Sequence, residues 1–182
     1  TKMNLVSKLY QRSVIKKIYS SNFSEGTSSP FVVELDPTTV CDLACPGCIS
    51  GDLLNQKNTE DRGFSVEKLN SLCDEFIEMG VKAVILIGGG EPLAHPSTIK
   101  IIEKLGKNKI EIGLTTNGTL MGRYLDIISK YVSWTRVSVD AGTDEMFLKL
   151  RPTRNNKSKF NIVIENMRNL AKIKKGKLGY SF

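Results

Sequence analysis

From residue 31 onward, short apolar runs alternate with longer segments whose apolar residues fall at helical spacing. The run AVILI at residues 83–87 is apolar at every position, which predicts a parallel strand covered on both faces. Residues 66–77 carry apolar side chains at helical spacing between Ser65, a capping residue, and Gly80, a stop. Further strands are predicted over residues 31–35, 111–115, 134–139 and from 178 onward, and further helices over 96–106, 120–131 and 160–174.

This alternation predicts the fold class. Successive right-handed βαβ units build one parallel sheet with helices packed outside it. We therefore expect an α/β protein whose sheet is either open or closed, with its functional site in the loops at the carboxyl ends of the strands. Four such loops carry distinctive residues, namely the clustered cysteines, GGGEP, TTNG and DAGT.

The first 29 residues follow a different pattern. Residues 5–19 form a loosely amphipathic basic segment that predicts a helix, and residues 20–29 resemble a polar linker. We therefore expect an N-terminal part over residues 1–29 and a core domain over residues 30–182. Residues 52–63 predict an exposed loop. Because a buried strand seldom ends a chain, the strand at the last residues leads us to expect part of a longer protein.

Composition narrows the class of protein. The chain has 182 residues, 40% of them hydrophobic and 25% charged, which suits a globular domain. No apolar run approaches the roughly 20 residues of a membrane helix, and the N-terminus lacks the layout of a secretory signal. Four cysteines, three of them clustered, favour a reducing compartment. We therefore expect a cytoplasmic protein without a membrane partner.

The net charge of +7 is concentrated in one segment. Between residues 151 and 177 there are nine basic residues and one acidic residue, a local charge of +8. If this segment faces the functional site, it would attract an anionic substrate such as RNA, a nucleotide-activated sugar or an acidic peptide. A solvated lysine-rich helix would carry the same residues, so both interpretations stay open.

Three of the four cysteines, Cys41, Cys45 and Cys48, lie within the eight residues CDLACPGC. Three thiols are one ligand short of a closed zinc site. Cys73 falls on the apolar face of a predicted helix, where we expect a small buried hydrophobe. His95 lies between two prolines, where a turn or packing role is expected, although it is a candidate ligand. The spacing on one loop suits a cuboidal iron–sulfur cluster with one iron left open.

The cysteines and the other strand ends together resemble the radical S-adenosylmethionine (SAM) superfamily. GGEP at residues 89–92 resembles a family motif at the second strand end, and TNG at residues 116–118 resembles its asparagine–glycine turn. SVD at residues 138–140 resembles the polar end of the fourth strand, and Arg151 lies about where many members have an arginine. The resemblance runs from about residue 31 to 182. It implies a partial (β/α) barrel that stops in its fifth strand.

The resemblance implies two cofactors, a [4Fe–4S] cluster and SAM. In the family, SAM chelates the open iron, and its reductive cleavage gives a 5′-deoxyadenosyl radical that abstracts a hydrogen atom. An external one-electron donor of the flavodoxin or ferredoxin type is implied as well. The implied metal ligands are Cys41, Cys45 and Cys48. The implied cofactor-binding residues are Gly89, Gly90, Glu91, Asn117, Ser138, Asp140 and Arg151.

The resemblance also implies roles near the methionine end of SAM. Gly89 and Gly90 would let the backbone approach SAM closely, and Glu91 with nearby carbonyls would accept hydrogen bonds from its ammonium group. Many members carry an aromatic residue where this chain has Pro46, so the adenine contact is left open. Pro46 instead stiffens the loop.

At the other strand ends, Arg151 is the expected partner of the SAM carboxylate, and Ser138 and Asp140 are expected near the ribose. Asn117 has two interpretations, as a donor to SAM or as a turn residue before Gly118. A second hypothesis for the whole chain is a non-catalytic module that binds zinc or a cluster for structure or electron transfer. That hypothesis requires a fourth protein ligand and gives GGEP no role.

Overall fold

A computed structural model describes residues 12–21, 24, 29–51 and 62–182, which contain a five-stranded parallel sheet with helices. The strands are β1 (Val32–Leu35), β2 (Ala83–Leu86), β3 (Glu111–Thr116), β4 (Trp134–Ser138) and β5 (Lys177–Ser181). The helices are α1 (Arg12–Ser20), α2 (Val66–Glu78), α3 (Thr98–Lys107), α4 (Leu125–Tyr131), α5 (Asp144–Leu150) and α6 (Phe160–Ile173). The sheet order follows the chain, β1-β2-β3-β4-β5, and every neighbouring pair is parallel. The predicted α/β class and parallel sheet are confirmed, and the open sheet is consistent with a partial barrel.

The core lies between one face of the sheet and the helices. In β2, Val84 and Leu86 are fully buried, while Ala83 and Ile85 on the other face are half-buried. The prediction that β2 is covered on both faces is therefore met fully on one face and in part on the other. Cys73 of α2 is fully buried among apolar side chains, as predicted. Burying each large apolar side chain contributes about 1.5–3 kcal/mol.

Two helices differ from the prediction. Helix α5 was not predicted, because seven residues give too little periodicity; it begins where the Thr143 hydroxyl accepts a hydrogen bond from the Met146 N–H, and it buries Phe147. The helix predicted over residues 120–131 is interrupted at Tyr124, which separates a short 3₁₀ helix (Met121–Arg123) from α4. A second 3₁₀ helix, Pro92–Ala94, follows β2.

The N-terminal predictions are described only in part. Helix α1 covers the end of the predicted basic helix, and Lys17 lies 5.2 Å from the centre of the Phe31 ring at the start of β1. Most of the predicted linker and of the loop over residues 52–63 lies outside the described residues. None of the helices in the described part of the chain has the length and hydropathy of a membrane span.

Candidate functional site

A cavity of about 350 Å³ lies at the carboxyl ends of β1 to β4. It is lined by residues from the cysteine loop, the GGGEP turn, the turn after β3, the end of β4 and the end of α5. The structure brings all ten predicted site residues to this one cavity: Cys41, Cys45, Cys48, Gly89, Gly90, Glu91, Asn117, Ser138, Asp140 and Arg151. His95 is not among the lining residues; its ring nitrogens bond to Phe64 and Ser97 backbone atoms, which fits the predicted packing role.

The three clustered cysteines are half-buried free thiols. Burial raises the pKa of Cys41 to about 11, and burial also raises the pKa of Cys45 against the opposing charge of Arg151. Within the described residues, no three His, Cys, Asp or Glu side chains surround one point as ligands of a single ion. A cuboidal cluster instead binds each thiolate at a separate iron and deprotonates it. Three thiols around one cavity therefore fit such a cluster.

The cysteine loop is anchored between the core and the segment after α5. Leu43 is fully buried and forms a bridge with Thr153, and the Ala44 N–H donates to the Pro152 carbonyl at 2.7 Å. Asp42 forms an ion pair with Lys159 at 2.8 Å. Hydrophobic burial and paired backbone groups thus fix the loop that carries the thiols.

Glu91 is a buried carboxylate that joins two loops. One oxygen accepts hydrogen bonds from the Leu93 N–H at 3.1 Å and the Thr116 hydroxyl at 2.7 Å, and the other accepts from the Asn117 N–H at 2.6 Å. Burial raises the pKa of Glu91 to about 7, against these hydrogen bonds. Because three protein donors already occupy the carboxylate, it holds the turn after β2 to the turn after β3. Contact with a SAM ammonium group stays a prediction.

Gly90 permits a close approach between two loops of the protein. A Cβ atom at Gly90 would lie 2.4 Å from the carbonyl oxygen of Thr38 and 2.5 Å from that of Val40. Next to it, the Glu91 N–H donates to the same Val40 carbonyl at 2.8 Å. At Gly89 a Cβ would lie 2.8 Å from the Ser50 hydroxyl. Because these two residues have no side chain, the GGEP turn can pack directly against the cysteine loop. The sequence did not indicate this role.

Arg151 and Asp140 form an ion pair at the cavity wall. The guanidinium contacts one carboxylate oxygen through Nε at 2.7 Å and through a terminal nitrogen at 2.6 Å. Asp140 has a φ of 53°, in the left-handed region, and Arg151 is a half-buried residue at the end of α5. Ser138 is half-buried at the end of β4 and lines the same cavity. Two groups of opposite charge thus lie where a zwitterionic ligand would meet both.

Sequence reasoning did not single out Asp42, Thr119 or Lys159. Asp42 accepts hydrogen bonds from Lys159 Nζ at 2.8 Å, Thr119 Oγ1 at 2.6 Å and Asn117 Nδ2 at 2.8 Å. Burial alone would raise the pKa of Asp42, but these donors outweigh it and hold the pKa below its ordinary value. The available signal was the position of Asp42 directly after Cys41. Lys159 had no signal beyond membership of the basic segment.

The basic segment reaches both rims of the sheet. Arg151 and Lys159 lie beside the cysteine loop, and Lys157 closes an exposed turn with Thr153. Lys174 and Lys175 follow α6 and precede the amino end of β5, at the opposite rim. The segment is therefore not one face, and only its first part borders the cavity.

The sequence matches one family model, described as the radical SAM superfamily, over residues 35–180. It is 33% identical over 118 residues to GTP 3′,8-cyclase 2 of Pseudomonas aeruginosa, covering 63% of this chain and 35% of that protein. It is 34% identical over 115 residues to molybdenum cofactor biosynthesis protein 1 of Dictyostelium discoideum, covering 60% and 18%. The chain thus spans at most about a third of these two relatives.

Solved structures share the fold. Streptococcus suis SuiB bound to S-adenosylmethionine superposes with a TM-score of 0.68 at 19% identity, covering 92% of this chain and 37% of that one. The structure described as native anSMEcpe with bound AdoMet gives 0.66 at 22% identity, covering 83% and 44%. At these identities the likeness concerns the fold.

Proposed function

Because the chain belongs to the radical SAM superfamily, we propose that it is the cofactor-binding core of an enzyme that cleaves SAM reductively and abstracts a hydrogen atom from its substrate. The observation that carries the proposal is that three thiols and the GGEP turn meet at one cavity. The family's cofactors are a [4Fe–4S] cluster and SAM, which supply the radical chemistry while the protein binds and orients them.

In this proposal Cys41, Cys45 and Cys48 hold the cluster. Arg151 takes the SAM carboxylate, because a guanidinium pairs with carboxylates in a fixed fork geometry. Asp140, already paired with that guanidinium, is the candidate partner for a ribose hydroxyl or the ammonium group, together with Ser138 and the Gly89–Glu91 turn. These roles are supported by the common cavity and by the charges that face it.

We propose an anionic, phosphate-bearing substrate. The turn over residues 153–157 lies beside the cysteine loop and exposes Arg154 and Lys157 at that rim. The relatives named GTP 3′,8-cyclases make a nucleotide the first class to test. The structure of SuiB bound to its precursor peptide makes a peptide the second. A one-electron donor of the flavodoxin or ferredoxin type and a cytoplasmic location complete the proposal.

The test is cluster assembly followed by SAM cleavage in the full-length protein. After anaerobic purification and reconstitution with iron and sulfide, we expect at least four irons per chain, and 5′-deoxyadenosine on addition of SAM and a reductant. Cys45→Ala should lower the iron content by about four per chain and abolish 5′-deoxyadenosine formation. Cys73→Ala is the matched control, because Cys73 is buried in α2 and does not line the cavity.

Iron binding without SAM cleavage in the wild type would favour the non-catalytic hypothesis. Cleavage that persists in Cys45→Ala would contradict the assignment of the thiols.

A further inference from the structure

The orientation of the Asn117 amide is fixed by its partners. Its Oδ1 atom accepts hydrogen bonds from the Thr119 N–H at 2.9 Å and lies 2.8 Å from the Thr119 hydroxyl. A backbone N–H can only donate, so the amide oxygen must face Thr119. The Nδ2 group therefore points the other way, toward Asp42 Oδ1 at 2.8 Å, an acceptor in its ionised form.

An amide nitrogen has two hydrogens, and the second one faces a cysteine. Asn117 Nδ2 lies 3.7 Å from Cys41 Sγ, within hydrogen-bonding distance of sulfur. The Leu43 N–H lies 3.5 Å from the same sulfur. Cys41 thus has a side-chain donor from a different strand end, contributed by a residue 76 positions away.

Asp42 is itself held from two sides. The Lys159 ammonium and the Thr119 hydroxyl both contact Oδ2, which leaves Oδ1 for Asn117. Both members of the ion pair have mostly covered side chains, 29% exposed for Lys159 and 22% for Asp42. The chain of contacts from Lys159 through Asp42 and Asn117 therefore ends on a thiol that faces the cavity.

We propose that Asn117 is a positioning residue that donates an N–H···S hydrogen bond to the Cys41 thiolate of the bound cluster, and that Asp42 and Lys159 hold its amide in place. The inference rests on the proposed function, because it requires the cluster. A donor aimed at a cluster sulfur stabilises the reduced state, which carries one more negative charge, and so raises the reduction potential. This gives Asn117 a purpose different from a contact with SAM.

The test is the midpoint potential of the reconstituted full-length protein without SAM, followed by electron paramagnetic resonance. Asn117→Ala removes the donor without changing charge. We expect an iron content like that of the wild type and an equilibrium constant for cluster reduction that is up to tenfold smaller. For a one-electron couple that factor corresponds to a shift of up to about 59 mV in the negative direction.

Asn166→Ala is the matched control. Asn166 Nδ2 donates to the Gly118 carbonyl at 2.8 Å, so this variant loosens the same turn without removing the donor to sulfur. An equal shift in Asn166→Ala, or an unchanged potential in Asn117→Ala, would overturn the proposal. A wild type that assembles no cluster would overturn the proposed function along with it.

If Asn117→Ala does not retain its cluster, Lys159→Met is the variant that tests the proposal. We expect it to shift the potential negatively, because Asp42 loses its main anchor, and we expect Lys159→Arg to restore the wild-type value. Lys157→Met removes an equal charge from the same loop at an exposed position. Equal shifts in Lys159→Met and Lys157→Met would show a general charge effect and contradict the positioning role.

Discussion

At the scale of single residues, Glu91 is a carboxyl group that is almost fully buried and fully paired. Its side chain is 2% exposed, and its two oxygens face two backbone N–H groups and one hydroxyl. Since N–H groups cannot reverse their role, both oxygens have to be acceptors. An amide in the same place would turn its NH₂ group toward an N–H donor.

At pH 8, above its pKa of about 7, the carboxyl is mostly ionised and both of its oxygens accept. We therefore expect Glu91→Gln to lower the free energy of unfolding by about 1–3 kcal/mol at pH 8, measured by urea denaturation of the cluster-free protein. Glu34→Gln, at an exposed position on β1, is the control and should change it by less than about 0.5 kcal/mol.

The same carboxyl predicts a pH dependence. Its pKa is raised from 4.5 to about 7, so between these values the folded state binds more protons than the unfolded state. The stability contributed by this group is complete below pH 4.5 and is lost as the pH rises through about 7. The difference in free energy of unfolding between the wild type and Glu91→Gln should therefore become smaller from pH 5 to pH 8. A difference that becomes larger would show that the site favours the ionised form.

At the scale of elements, the site depends on two loops that pack backbone against backbone. Gly90 allows the turn after β2 to contact the carbonyls that precede Cys41. We expect Gly90→Ala to displace this segment, to cost about 1–3 kcal/mol of stability, and to reduce the iron bound after reconstitution. Gly179→Ala, on β5, is the control, because a Cβ there meets no atom within 4 Å and Gly179 does not line the cavity. Full iron content in Gly90→Ala would show that the contact is dispensable.

Element positions also explain how much the sequence could predict. Parallel strands bring their carboxyl ends to one edge, so the four strand-end motifs could be assigned to one site before any coordinates. Arg151, which follows them, could be added only through the family resemblance. Helix α5 could not be predicted because its seven residues cover only about two turns, too few to show a repeat. The break at Tyr124 could not be predicted because it interrupts the helical pattern at a single residue. The three partners of Glu91 and the Asp42–Lys159 pair depend on distances between loops, which a pattern along the chain does not contain.

At the scale of the whole molecule, the uneven charge makes a prediction about substrate binding. Arg154 and Lys157 lie on the turn that pairs with the cysteine loop through the Leu43–Thr153 bridge, whereas Lys174 and Lys175 lie toward the other rim of the sheet. With GTP as the probe, we expect Arg154→Gln/Lys157→Gln to raise the dissociation constant about tenfold at low salt, with the difference shrinking as salt is added.

Lys174→Gln/Lys175→Gln removes the same net charge and is the matched control, with little expected change in the dissociation constant. If both double variants weaken GTP binding equally, the effect reflects total charge. If GTP does not bind the wild type, a nucleotide of this kind is the wrong class of substrate.

The ion pair between Asp42 and Lys159 joins residues 117 positions apart. During translation, all three clustered cysteines are therefore synthesised well before Lys159, the lysine that pairs with their loop. In a nascent chain that ends before Lys159, the cysteine loop lacks this ion pair. We therefore expect iron–sulfur insertion to follow translation of Lys159.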